Sequence, residues 1–365
     1  MKKYLKIVIY VLLIAAAIVI RVLCFDYETL DYLNFLKKWV EFYRLNGGFR
    51  ALRYSIGNYN IPYMYFLALF SYIPVNDLYL IKGLSCIFDF VLAYSAYRIC
   101  KKKCAFFIVL FLPTVIINSA LWAQCDSIYV SLALLSIAFA LEGKGAKSMI
   151  LMALSFGFKL QAVFLMPCLV IIWIYKKLDW KLFALFPLTY IVLILPAVLL
   201  GHPFISAFTL YYDQIGTVGT ASNYNSPSLT ALISADSTML TCAAFAAMVL
   251  LIFMPKKNKT GVIMLCALMV TVIPFLLPHM HDRYFYATDV FAVIAACTLW
   301  WNIPSVILSQ AASLICYHAY LLTHYFPFNG RWITNKTGAW LELICIVIFA
   351  ISFCKSLLTR KDILV

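Results

Sequence analysis

Apolar stretches long enough to cross a bilayer recur along this chain, and short clusters of Lys and Arg separate them. A transmembrane helix needs about 20 apolar residues, and the opening run MKKYLKIVIYVLLIAAAIVIRVL supplies the first. That run has no small-residue cleavage pattern before Arg21, so a retained helix is expected rather than a signal peptide. Hydrophobic residues make up 65% of the 365 and charged residues 12%, against about half and a quarter in a soluble domain. No soluble core hides that much apolar surface. The sequence therefore predicts an all-α, polytopic integral membrane bundle, with residues 1–365 forming one domain.

The formal net charge of +14 first suggests a nucleic-acid partner. The placement of the charges argues otherwise. Lys2/Lys3/Lys6, Arg98 with Lys101 to Lys103, Lys144/Lys147, Lys176/Lys177/Lys181, Lys256/Lys257/Lys259 and Lys355/Arg360/Lys361 all lie between apolar runs. These are markers of cytoplasmic loops, and no nucleic acid is expected. They are all placed inside by twelve spans, at about 4–24, 78–100, 104–121, 127–142, 148–158, 161–175, 182–200, 229–254, 261–278, 285–301, 304–323 and 338–355. Both termini are then cytoplasmic, in a multi-pass cell-membrane protein. The segment 25–77 becomes an outer loop with an interfacial helix, and 61–75 a re-entrant or interfacial piece. Further outer loops fall at 201–228, a Gly-, Ser- and Tyr-rich stretch suited to a mobile lid, and at 278–285. The short spans 148–158 and 161–175 meet at Lys159, as broken helices do where they line a cavity.

Most of the twelve cysteines sit inside apolar runs with no CxxC spacing. They are expected to be small packing residues, with Cys125 near the outer surface and no disulfide or zinc site.

On this topology the remaining polar residues gather outside. The five histidines (His202, His279, His281, His318, His324) fall there, with Asp26, Asp31, Asp126, Asp213, Asp282 and Arg283. Polar groups collected at one membrane face mark a functional site. The first cluster, DYETLDYLNFLKKW at 26–39, offers Asp26 and Asp31 as general bases beside Trp39, which can stack on a sugar. It also suits a solvated interfacial helix. The second, WAQCDSIY at 122–129, offers Gln124 and Asp126 to sugar hydroxyls, or Asp126 as a helix N-cap. The third, PHMHDRYFY at 278–286, combines His279, His281, Asp282, Arg283 and Tyr284. Arginine presents a fork for phosphate. His-x-His allows a divalent metal, but no third ligand stands at a usual spacing, so no metal or other cofactor is expected. Lys159 is costly at membrane depth unless it meets a lipid phosphate or snorkels to the headgroups. Asp89, inside a span, is expected to contact a Ser or Tyr on a neighbouring helix.

Taken in order, these motifs resemble a known family. Asp31, Tyr32, Phe35, Leu36 and Trp39 match an acidic DYxxFLxxW stretch. Asn58, Tyr59, Asn60 and Pro62 match NYNxP; Trp122, Gln124, Asp126 and Ser127 match WGQxDS with Ala123 in place of glycine. Phe158, Lys159 and Gln161 match FKxQ, and 280–286 matches MHERYFY with Asp282 in place of Glu. Over most of residues 1–290 the chain is similar to the bacterial mannosyltransferases related to the enzyme that adds the second mannose of GPI anchors, in the GT-C superfamily. The resemblance implies an inverting hexosyltransferase with a polyprenyl-phosphate sugar donor, a glycan or glycolipid acceptor on the outer face and an Asp base in the first outer loop. Asp31 is the first choice for that base, then Asp126, then Asp26. Lys159, His281 and Arg283 would hold the donor phosphate, with Asn60, Gln124, Gln161, His279, Asp282, Tyr284 and Trp39 binding substrate. Two rival readings remain: a lipid-linked polysaccharide polymerase or ligase, and a transporter or flippase. A transporter should show repeat symmetry between its halves, and no repeat is visible.

Overall fold

The computed structural model describes residues 2–217, 221–322 and 334–358. It is almost entirely helical. In chain order the helices are α1 Lys2–Val22, α2 Lys37–Leu45, α3 Ile61–Phe70, α4 Asp77–Cys100, α5 Lys103–Leu110, α6 Pro113–Ile116, α7 Asp126–Leu141 and α8 Gly145–Phe158. Then follow α9 Met166–Lys176, α10 Leu185–Leu199, α11 Ser206–Thr217, α12 Ser237–Phe253, α13 Lys259–Leu276, α14 Tyr286–Thr298, α15 Ile303–Tyr317 and α16 Asn335–Leu358. The strands are two-residue pieces, β1 Asn223–Tyr224 and β2 Met280–His281, paired in parallel. His324, Arg360 and Lys361 lie outside the described residues.

Among the described residues, five helical segments are long and apolar enough to cross a membrane: Tyr4–Val22, Asp77–Cys100, Trp180–Leu199, Lys259–Leu276 and Asn335–Leu358. A sixth arises if Lys103–Leu110 and Pro113–Leu121, bent by 53°, make one span. The bend has a sequence cause, because Pro113 cannot donate into the preceding turn and starts a new helix instead. Burial sorts these helices. In α13, 83% of the apolar window is inside the protein, against 11% in α1, so α13 forms the centre and α1 lies on the rim. α9, α12, α14 and α16 pack directly against it, and α4, α7 and α8 form a second group joined to it through α9 and α14.

Two buried cations fasten α1 and the segment after it. Arg21 donates to Asp89 on α4 at 2.8 Å and to the carbonyls of Ala17 and Leu110, each at 3.0 Å. Lys82 on α4 gives its three ammonium protons to the carbonyls of Cys24, Phe25 and Tyr27. These bonds fix where the chain emerges from α1, and therefore where Asp31 sits. Asp89 also accepts from Ser119 at 2.5 Å, the serine contact its sequence position suggested. The arginine partner was not foreseen.

The segment expected to be interfacial is a π-helical turn at Tyr32–Leu36 running into α2, which buries Trp39, Val40 and Tyr43. Residues 61–70 form a ten-residue helix, too short to cross. Three expectations change. The stretch 201–228 contains the helix α11 rather than loop throughout. Cys125 is buried, at 1% exposure. Asp126 is the first residue of α7 rather than its cap, and Cys125 takes the cap position.

Two of the basic clusters meet at one end of α7. Glu142, after α7, holds Arg98 at 2.5 Å, Lys101 at 3.1 Å and Lys144 at 3.0 Å. α7 has 16 residues, so at 1.5 Å per residue that end stands about 24 Å from Asp126.

Candidate functional site

At the other end of α7, four segments far apart in sequence meet. Asp31 is delivered by the turn after α1. Its Oδ2 accepts from Trp122 Nε1 at 3.0 Å and from Gln124 Nε2 at 2.8 Å. Gln124 is oriented from behind, because its Oε1 accepts from the Tyr59 hydroxyl at 3.2 Å. Thr29 donates to the Trp122 carbonyl at 3.2 Å and so ties the same two segments. The first and second sequence clusters are thus one hydrogen-bonded unit.

Ala123 turns the chain here with φ +62°. That is the left-handed region, where a side chain costs roughly 1–2 kcal/mol and glycine does not. The geometry gives a physical reason for glycine at this position in the motif the chain resembles.

Asp126 sits beneath this unit at 1% exposure. Asn118 donates to its Oδ2 at 2.8 Å, and Lys159 forms an ion pair with its Oδ1. Lys159 therefore has a carboxylate partner within the chain. It is placed there by the break in the helix: its backbone is extended, φ −154° and ψ 135°, between α8 and the 3₁₀ turn at Leu160–Phe164. Asp126 is thus engaged on both oxygens.

The fourth segment is the turn into α14. Arg283 lies with its guanidinium 4.8 Å over the Trp122 ring. Its Nη1 is 4.0 Å from Asp126 and its Nε 3.5 Å from Asp282, and neither nitrogen makes a hydrogen bond to the protein. Buried N–H groups are almost always paired, so a guanidinium left this way is preorganised for an acceptor from outside the chain. Tyr284 accepts from Gln161 Nε2 at 2.8 Å, which joins the helix break to this turn. Burial, opposed by Arg283, pushes the Asp282 carboxyl up to about 7. Burial and the charges of Arg283 and Lys159 pull the His281 imidazole down to about 4. His281 is thus neutral at physiological pH and stacks on Tyr224, with centroids 4.7 Å apart.

Asp31, Phe35, Leu36, Trp39, Asn58, Tyr59, Gln124 and Arg283 line a cavity of about 120 Å³. Trp39 is seated by Gly57, φ +71°, where an added Cβ would come within 2.6 Å of the indole.

Three expected site residues lie elsewhere. Asp26 is exposed and accepts from the Tyr79 hydroxyl. His279 has φ +60° and bonds back to the Ala221 carbonyl at 2.8 Å, as a loop anchor. Asn60 caps α3 through Ile61 and donates to Tyr190 at 2.6 Å. Among the described residues no group of three or more His, Cys, Asp or Glu side chains could hold a metal ion. Sequence reasoning gave no role to Asn118 or Tyr59. The signal for Asn118 was available, since a lone amide inside an apolar run needs a partner.

The chain matches no protein-family model, and no curated protein matches it at a significant level.

Proposed function

We propose that this chain is a membrane-embedded glycosyltransferase. It moves a mannose-like hexose from a polyprenyl-phosphate sugar to a glycan or glycolipid acceptor on the extracytoplasmic face. The observation that carries the proposal is the pairing of groups around one cavity: the Asp31 carboxylate and the Arg283 guanidinium with unpaired N–H groups. A transfer with inversion needs that pair. Asp31 takes the proton of the acceptor hydroxyl as its oxygen attacks the anomeric carbon. The bond from that carbon to the donor phosphate breaks, and its electrons leave with the phosphate. The charge growing on the phosphate oxygens then falls toward Arg283. Trp122 and Gln124 hold Asp31 on one oxygen, and Trp39 and Tyr59 supply aromatic faces for a sugar ring. Lys159 and Asn118 fix Asp126, whose charge in turn steadies Arg283.

The twelve-span topology belongs to the same proposal. It adds five shorter apolar segments and α15 to the five long ones and the bent pair, and it treats α3 as interfacial. The cluster at Glu142 then lies on the cytoplasmic side and the cavity outside, with cytoplasmic termini.

The test is sugar transfer in reconstituted membranes supplied with a panel of polyprenyl-phosphate sugars. One donor is consumed by the wild type, and Asp31→Asn, folded, loses about 100-fold or more in turnover, equal to about 2.7 kcal/mol of barrier. If no donor is consumed, or Asp31→Asn is fully active, the proposal fails.

A further inference from the structure

Far from the cavity, at the end of the bundle that carries two of the basic clusters, two thiols meet. Cys104 lies in the first turn of α5 and Cys297 in the last turn of α14, and their sulfurs are 3.7 Å apart. Both are free thiols; Cys104 is exposed and Cys297 partly so. A third thiol, Cys100, is buried, reaches the Ala96 carbonyl at 3.3 Å and also interacts with Cys297, so it is the competing partner. A disulfide needs about 2.0 Å between sulfurs, so closing the pair moves the two atoms together by under about 2 Å. The sequence alone points away from this, because 193 residues separate the two cysteines and both lie at the edges of apolar runs.

We propose that Cys104 and Cys297 are a modification site: a reversible disulfide formed by exchange with a small disulfide such as oxidised glutathione. The Cys104 thiolate attacks one sulfur of the reagent and releases its first thiol. Cys297, as thiolate, then attacks Cys104 in that mixed disulfide and releases the second. Two electrons pass to the reagent, and the two thiol protons leave with its released thiols. Lys101, Lys102 and Lys103 adjoin Cys104 and attract an anionic reagent of this kind. The bond ties α5, which leads through the bend at Pro113 toward Trp122 and Gln124, to α14, which follows directly from Arg283. The inference is independent of the proposed transfer reaction.

The full chain in detergent is incubated with oxidised glutathione, its remaining thiols are alkylated, and its peptides are mapped by mass spectrometry. The expected result is a Cys104–Cys297 linked peptide, with both thiols lost to alkylation. That peptide disappears with dithiothreitol and in Cys104→Ser. The proposal is overturned if Cys104 ends as a glutathione adduct with Cys297 alkylated, if Cys297 links to Cys100, or if both thiols stay free. Because the map is made on the wild type, the result does not depend on the variant folding.

Discussion

Two arginine–aspartate pairs in this protein are built from the same residue types and do opposite things. Arg21 is 2% exposed, and its Nε, Nη1 and Nη2 all donate, to Asp89 and to two carbonyls. Arg283 approaches Asp126 no closer than 4.0 Å and keeps two nitrogens without hydrogen bonds beside a cavity. The first arginine is saturated and holds α1 to α4. The second is held near carboxylates that balance its charge while its donors stay available. Saturation, more than burial or charge, separates a structural cation from one placed for a ligand.

The contrast can be broken by substitution. Arg21→Met leaves Asp89 as an unpaired buried carboxylate, which costs about 3–5 kcal/mol. Thermal unfolding should show that loss directly, and an unchanged melting temperature would mean the pair is not structural. Arg283→Ala should keep the melting temperature within a few degrees and lower turnover by about 10²- to 10³-fold, the usual cost of one removed anion-stabilising donor. If it instead unfolds as Arg21→Met does, the two arginines are alike.

A smaller effect is expected from pH. Asp282 is pushed up to about 7, so between pH 8 and 6 it takes a proton and stops neutralising Arg283. The apparent KM for a phosphate-bearing donor should fall over that window, and Asp282→Asn should flatten the profile. The stability sign is fixed by the same shift. A folded pKa above the ordinary carboxylate value gives stability that is present at acid pH and lost as pH rises through about 7. Asp282→Asn should therefore be relatively more stable at pH 8 than at pH 5. Smallest of all, Ala123→Gly relieves the left-handed backbone at the turn. After the entropic cost of glycine it should raise stability by under about 1 kcal/mol, seen as a small rise in melting temperature.

Much of this was legible before any coordinates. The apolar runs foretold an all-helical, membrane-capable bundle, and the break at Lys159 and the helix α2 follow from local pattern. Sequence clusters at 26–39, 122–129, 159–161 and 278–286 do converge. What could not be read was partnership. A lone Lys159 at membrane depth looks the same whether it faces a phosphate or Asp126, because the deciding residue lies 33 positions away. His279 and His281 share one motif, yet the positive φ of His279 turns it into the 221–222 loop. Asp26 and Asp31 are five residues apart, and only the π-helical turn beginning at Tyr32 and the bonds from Lys82 send one to the surface and the other to the cavity. The short helices also hide the number of crossings, since length and composition single out only five or six of them.

The most direct test of the central claim is binding of a polyprenyl phosphate, without sugar or acceptor, to wild type, Arg283→Gln and Asp31→Asn in detergent. Arg283→Gln should weaken affinity by about 10-fold or more, or about 1.4 kcal/mol, while Asp31→Asn should bind at least as well as wild type. Equal affinity in Arg283→Gln and wild type would contradict that claim, because the open arginine would then have no part in holding a phosphate.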